Sequence, residues 1–163
     1  MAICDYCGSS YRGGAIKEGP YRYCTGHCRD RGMKLLRHLE PIPEAQIEKA
    51  IWEAHQGPCP ECGKNASVDV HSSYRFWSAL VYWSWKSKST VACRECARAR
   101  QSEDLVLSAL SGWWSPPGIL ITPFAVVLNI VALCRRFDAD NPSDRLRKLV
   151  KMSLARSLAE RSK

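Results

Sequence analysis

Eight of the nine cysteines fall into four close pairs: Cys4/Cys7, Cys24/Cys28, Cys59/Cys62 and Cys93/Cys96. Two residues between thiols let both sulfurs face one ion, and three set them one helical turn apart on the same side. Pairs so close suit a metal better than a disulfide framework. Four thiolates are a fitting ligand set for Zn²⁺, so two sets of four predict two zinc ions. Four sulfurs also close the coordination shell, which is the structural and not the catalytic pattern. His27, inside the second pair, could replace Cys24 or Cys28, but four thiolates leave it no place.

The elements around these pairs must aim them inward. Cys4-Asp5-Tyr6-Cys7-Gly8 reads as a zinc knuckle, with Gly8 allowing a sharp backbone turn. A helix after Cys24 runs to Leu39, with Met33, Leu36 and Leu39 near one face, and stops before Pro41. Residues 1–40 thus predict a treble-clef-like Cys4 module. Pro43 to Gln56 predicts a linker helix (41–57) with the stripe Ile47, Ala50, Ile51, Ala54. Two CxxC pairs thirty residues apart, at Cys59 and Cys93, predict a zinc ribbon over 58–104. Its second knuckle has Ala97 where the first has Gly63. The insert reads as antiparallel strand: Val68 to Val70, then Phe76 to Trp85 without Gly or Pro, a polar turn at Lys86 to Ser89, and Thr90 to Ala92. Along it, Phe76, Leu80 and Tyr82 take one face and Trp77, Val81, Trp83 and Trp85 the other. A strand apolar on both faces needs cover on both, from protein or from lipid. Base stacking is a third use of those rings, but only Arg75, Lys86 and Lys88 lie among them to meet phosphates.

Leu105 to Cys134 is a run of thirty residues without charge. It divides at Gly112-Trp113-Trp114-Ser115-Pro116-Pro117-Gly118, giving a short helix to Ser111 and a longer one from Gly118. Seventeen residues make about 25 Å, short of a ~30 Å hydrocarbon core. Arg98 and Arg100 lie upstream, Arg135 and Arg136 downstream, which favours one cytoplasmic side for both ends. Residues 105–136 therefore predict a hydrophobic helical hairpin that is re-entrant in a membrane; the alternative is a soluble hairpin that covers the aromatic sheet. The tail, 137–163, predicts a basic amphipathic helix with Leu146, Leu149, Val150, Leu154 and Leu158 in a loose stripe, suited to an anionic membrane face or to plain solvent. Cys134 is unpaired, an inert buried thiol or an acylation site.

The formal charge is +8. Two Zn(Cys)₄ sites of −2 each lower it to about +4, which halves the case for nucleic acid on charge alone. The opening MAICDYCG has no basic start or apolar run and predicts a reducing cytoplasmic setting. His38-Leu39-Glu40 and Pro58-Cys59-Pro60-Glu61-Cys62 fit the pattern of zinc deaminases. That use would strand Cys93 and Cys96, and the text between the motifs reads as one helix. No phosphate-binding loop, nucleophile elbow or HExxH occurs.

Several pieces together resemble an uncharacterised family of bacterial membrane-associated zinc-ribbon proteins. They are ICDYCG, HQGPCPECG from His55, VDVHSSYRFWSAL from Val68, Ser84-Trp85, CREC at Cys93, GWW at Gly112, and Thr122-Pro123 with Asn129-Ile130 after it. The resemblance implies membrane association and supplies no catalytic residue. The turn departs from the family's WWGxPWG, with an aromatic anchor lost at Pro117.

The expectation is a non-enzymatic, membrane-associated zinc adaptor on the cytoplasmic face of the cell membrane. Trp77, Trp83, Trp85, Trp113 and Trp114 are its candidate contacts with membrane or protein partner, and no small-molecule substrate is expected. The alternatives are a soluble cytoplasmic zinc-ribbon protein that binds nucleic acid and, more remotely, a zinc deaminase.

Overall fold

A computed structural model describes residues 2–11, 13–79, 82–134 and 139–162, without the side chains of Ala2, Trp83 and Pro117. Expectations for Leu80, Val81, Arg135, Arg136 and the side chains of Trp83 and Pro117 lie outside the described residues. In chain order the elements are β1 (Ala2–Ile3), β2 (Ser10–Tyr11), β3 (Ile16–Glu18), β4 (Tyr21–Tyr23), α1 (Gly26–Leu36), a 3-10 turn (Arg37–Leu39), α2 (Glu44–Gln56), β5 (Val68–Ala79), β6 (Tyr82–Cys93), α3 (Arg94–Ser111), α4 (Pro116–Cys134) and α5 (Asp144–Arg161). The chain is α+β, with antiparallel two-stranded pairs β1–β2, β3–β4 and β5–β6 among the described residues. It forms two units, residues 1–56 with 141–163, and residues 57–140.

In the first unit, α5 completes the core. Met152 packs with Cys4, Tyr21, Tyr23 and Cys28. Ala155 packs with Leu39, Ile47 and Ile51. Ser143 caps α5 by accepting the Leu146 N–H at 3.3 Å, and Arg147 grips both carboxylate oxygens of Glu48 on α2 at 2.8 and 2.6 Å. The tail helix therefore spends most of its apolar stripe inside the unit, where Leu146 is buried and Val150, Leu154 and Leu158 are partly buried; Leu149 is its one large exposed apolar residue. The α2 segment is part of the same core and not only a linker. Its stripe is Ile47, Ile51 and His55, with Ala54 exposed.

In the second unit, the strand pair differs from the sequence pattern. The reversal falls between Ala79 and Tyr82, which pair with each other, and β6 runs on through Lys86 to Ser89. Phe76 consequently lies opposite Trp85, so the two share a face instead of opposing ones. Polar residues at 86–89 read as a turn, yet each has a strand partner, from Arg75 to Ser72. Next, α3 starts at Arg94 and runs through residues 104 and 105 without a break, because nothing between Cys93 and Gly112 interrupts a helix. Pro116 and Pro117 open α4 in the first turn, where their missing N–H groups are not needed.

A two-stranded sheet has two free edges, and side chains close the one on β5. Gln101 Nε2 donates to the Ser72 carbonyl at 3.0 Å. Asn129 Nδ2 donates to the Tyr74 carbonyl at 2.7 Å, and Asn129 Oδ1 accepts the Tyr74 N–H at 3.1 Å. Ser108 Oγ accepts the Phe76 N–H at 3.1 Å, and Ser78 Oγ donates to the Gly112 carbonyl at 2.6 Å. Beyond them Trp114 bridges Ala79 in parallel sense. Thus α3 and α4 act as a third strand through their polar side chains. Close approach makes this work. A Cβ on Gly118 would meet Ser78 Oγ at 2.5 Å and collide with the Gly112 carbonyl oxygen.

Turning these polar groups inward leaves the apolar ones outside. Among the described residues, Ser73, Ser78, Gln101, Asp104, Ser108, Ser115, Thr122 and Asn129 are buried in this unit. Leu110, Trp114 and Leu120 are 70%, 71% and 81% exposed. Among the described residues, every large exposed apolar residue other than Leu149 belongs to this unit.

Replacing Asn129 by Leu leaves the Tyr74 N–H and carbonyl without their amide partner at similar side-chain volume. The expected loss is roughly 2–4 kcal/mol of unfolding free energy, read by urea titration of the full chain.

Candidate metal centres

Each cluster is assembled by the same local device. At the first, the Cys4 N–H donates to the Ser9 carbonyl at 3.0 Å and the Gly8 N–H to the Cys4 carbonyl at 2.9 Å. At the second, the Cys59 N–H donates to the Lys64 carbonyl at 2.9 Å and the Gly63 N–H to the Cys59 carbonyl at 2.8 Å. Gly8 and Gly63 have φ of 72° and 70°, the left-handed turn that glycine adopts without strain. The knuckle puts Cys4 and Cys7, or Cys59 and Cys62, on one side.

A strand and a helix supply the other half. Cys24 follows β4, and Cys28 lies in the first turn of α1, where its N–H donates to the capping Thr25 hydroxyl at 3.2 Å. Cys93 ends β6 and is the residue before α3, and Cys96 lies in the first turn of that helix. The second CxxC is therefore a helix start and not a second knuckle, which explains why Ala97 stands where a knuckle would need glycine. Helix N-termini bring positive partial charge to both sets of sulfurs.

The four sulfurs of each set, Cys4, Cys7, Cys24 and Cys28, then Cys59, Cys62, Cys93 and Cys96, all lie within 4.8 Å of one another. Cys7 and Cys24 are 3.8 Å apart, Cys24 and Cys28 3.5 Å, Cys62 and Cys93 3.8 Å. A tetrahedron of sulfurs about 2.3 Å from zinc has edges of about 3.8 Å. All nine cysteines are free, so no disulfide competes. The arrangement is compatible with two zinc ions, one per cluster. Cys4, Cys28, Cys59 and Cys93 are buried, while Cys7 and Cys62 face outward.

Hydrogen bonding shifts four of the sulfurs, two downward and two upward. Donation from the Ser9 hydroxyl and then its backbone N–H brings Cys7 down to about 6. Burial pushes Cys59 up, but N–H groups of Cys93, Cys62 and Glu61 outweigh it and bring it to about 6. The Cys93 N–H lies 3.2 Å from that sulfur. Cys24 is pushed up to about 12 by its bond to Cys28 and then by burial, and Cys96 to about 12 by its bonds to Cys93 and Cys62.

His27 is exposed and outside the first cluster. His38 and Glu40 join neither cluster, and Cys59 and Cys62 close with Cys93 and Cys96, leaving the deaminase pattern without its geometry. Of the aromatic contacts, Trp77, Trp113 and Trp114 are exposed. Trp85 is tucked inward, 6.0 Å from Phe76 and 6.4 Å from Phe124 between ring centroids. Cys134 is exposed, not buried. One participant at the first cluster is not marked by its sequence: Arg156 of α5 donates to the Tyr6 carbonyl at 3.0 Å and lies 5.9 Å over the Tyr6 ring, inside the knuckle. Only a contact across 150 residues reveals it.

Comparison with protein-family models, curated proteins and solved structures found no match for the chain.

The full chain is expected to carry two zinc ions by metal analysis, Cys93→Ser one, and Cys134→Ser two. Zinc and protons compete for the same sulfurs, so affinity rises with pH. Uptake at pH 7 should release the protons held by Cys24 and Cys96. Below about 6 it should release still more, as Cys7 and Cys59 become protonated in the free chain. A pH-stat titration with zinc reads both.

Proposed function

We propose that the chain is a non-enzymatic, membrane-associated zinc adaptor. Two closed Cys4 sites give its modules their cores, and the second unit ties it to the cytoplasmic face of a membrane. The first module, and by the same plan the second, corresponds to a treble clef: knuckle, hairpin, helix. The α3–α4 pair is the hydrophobic hairpin, lying in lipid on one side and covering the β5 edge on the other.

The observation that carries the reading is the inverted polarity of the second unit. Its buried face holds Ser108, Thr122 and Asn129, and its exposed face holds Leu110, Trp114, Leu120 and Phe124. A surface that apolar needs cover, and polar side chains bridging helices in the interior suit a lipid surround. No helix among the described residues is long and apolar enough to cross a membrane. At 19 residues α4 is about 28 Å long, with Pro123 inside it and Asn129 buried on its inner face. A hairpin that enters and returns on one side fits these lengths. The cytoplasmic face is favoured because thiolate ligands persist in a reducing compartment. The exposed knuckle sulfurs Cys7 and Cys62 mark the side offered to a protein partner. Single-stranded nucleic acid is the weaker alternative, since Trp85 is already stacked internally and few cations flank Trp77 and Tyr82.

Cell fractionation of the untagged chain tests the reading. The chain is expected in the membrane pellet and to stay there through an alkaline wash. Recovery in the soluble fraction without detergent overturns the tether.

A further inference from the structure

The charge-free surface has an end and a boundary. Along β5 and β6 no charged residue occurs between Arg75 and Lys86, and none occurs from Leu105 to Cys134. Arg75 and Lys86 are partners across the strand pair, and Arg75 Nε donates to Asp104 Oδ1 at 2.6 Å. Strand register and this ion pair therefore set the last charges of β5 and β6 and the charge just before the uncharged part of α3 at one level. From Arg75 to Ala79 is four residues, about 13 Å. That is close to half of a ~30 Å hydrocarbon core.

Many of the backbone polar groups at this end are met from within. In the last turn of α3, the carbonyls of Leu107, Ala109 and Leu110 accept from Ser111 Oγ, Trp113 Nε1 and Trp114 Nε1. The Ser108 carbonyl accepts the Gly112 N–H at 3.1 Å, and the Gly112 carbonyl accepts from Ser78 Oγ. At the start of α4, Pro116 and Pro117 have no N–H to satisfy. The Gly118 N–H goes to Ser115 Oγ at 3.0 Å and the Ile119 N–H to the Ser115 carbonyl at 3.1 Å. Helix ends in water leave such groups to solvent; helix ends in hydrocarbon have no solvent to use. The two indole N–H groups, the polar points of otherwise apolar rings, are spent on the same carbonyls. The sequence from Ala79 to Tyr82, Ala-Leu-Val-Tyr, holds none of the Asn, Asp or Gly usual at a hairpin in water.

We propose that the second unit enters one leaflet of a lipid bilayer tip first. Trp113, Trp114 and Leu120 lie in the hydrocarbon, and the Arg75–Asp104 level lies at the headgroups, with Lys86 and Lys88 toward anionic lipid. The inference rests on the membrane reading above and adds its direction and depth. A protein partner or a second copy would cover the apolar faces, but would not require a serine hydroxyl and two indole N–H groups turned back onto the last carbonyls of α3.

The test is flotation of the full zinc-loaded chain with vesicles of phosphatidylcholine containing a minority of phosphatidylglycerol. Leu120 precedes Val131 on α4 by eleven residues, about 16 Å, with Leu120 nearer the tip. Asn129 on the same helix bonds Tyr74, on the zinc side of Arg75, which places Val131 near the boundary. Leu120→Lys is expected to lower partitioning on the order of 30-fold or more, and Val131→Lys less than about five-fold. Leu149→Lys, in the first unit, should leave it unchanged. A metal count of two checks that each variant has folded. Lipids brominated near the chain ends should quench the fluorescence that Trp113→Phe/Trp114→Phe removes more than lipids brominated near the headgroup. If the parent chain floats but Val131→Lys loses as much as Leu120→Lys, or shallow quenching wins, tip-first entry is wrong and the membrane reading stands. If the parent chain does not float, both fall.

Discussion

Four sulfurs cannot be held within 4.8 Å of each other as bare thiolates. Each pair at about 4 Å repels by roughly 4 kcal/mol at an effective dielectric of about 20. A divalent cation would turn that repulsion into cohesion, and the elements around each cluster are arranged on that constraint. Two of the apolar clusters contain the gathered cysteines themselves: Cys4 and Cys28 in one, Cys59 and Cys93 in the other. A metal bound there would couple directly to the folding of each module. At the first cluster the coupling would reach α5, since Met152 packs on Cys4 and Cys28 and Arg156 binds the knuckle carbonyl of Tyr6.

The second unit solves a different problem, the free edge of β5. Backbone groups there need partners, and no third strand exists among the described residues. Gln101, Ser108 and Asn129 supply them from helices. That choice fixes which way α3 and α4 face. Once their polar side chains are committed to the strand, many of the large apolar residues of the same helices, among them Leu110, Ile119, Leu120 and Val127, are left outward. The exposed apolar surface is thus a consequence of edge closure.

Much of this was legible in the sequence because the signals were local. Cysteine spacing located all eight clustered sulfurs, and the Gly112–Gly118 stretch located the break between α3 and α4. The start of α5 was marked by its Ser143 cap. What escaped was non-local. The hairpin reversal carried no turn residue, while Lys86 to Ser89 resembled one, so strand register and the faces of Phe76 and Trp85 were misplaced. Ser108 and Asn129 lie inside the uncharged run and carry no local signal of their part in the fold. Their role appears only when β5 is beside them. The packing of α5 on the first knuckle joins the two ends of the chain, a relation no local pattern encodes.

The two metal modules share one plan, a glycine-closed knuckle, a strand pair, and a helix whose first turn bears the last ligand. They differ in the length of the strand pair. In the first, three-residue strands keep everything near the metal, and α5 is needed to finish the core. In the second, twelve-residue strands reach about 36 Å from the metal end to the tip. The second cysteine cluster sits at the base of that arm, and side-chain amides and hydroxyls hold its sides. Its far end can therefore be apolar on its outer surface without loss of order, because the hydroxyls of Ser78 and Ser115 hold it from within.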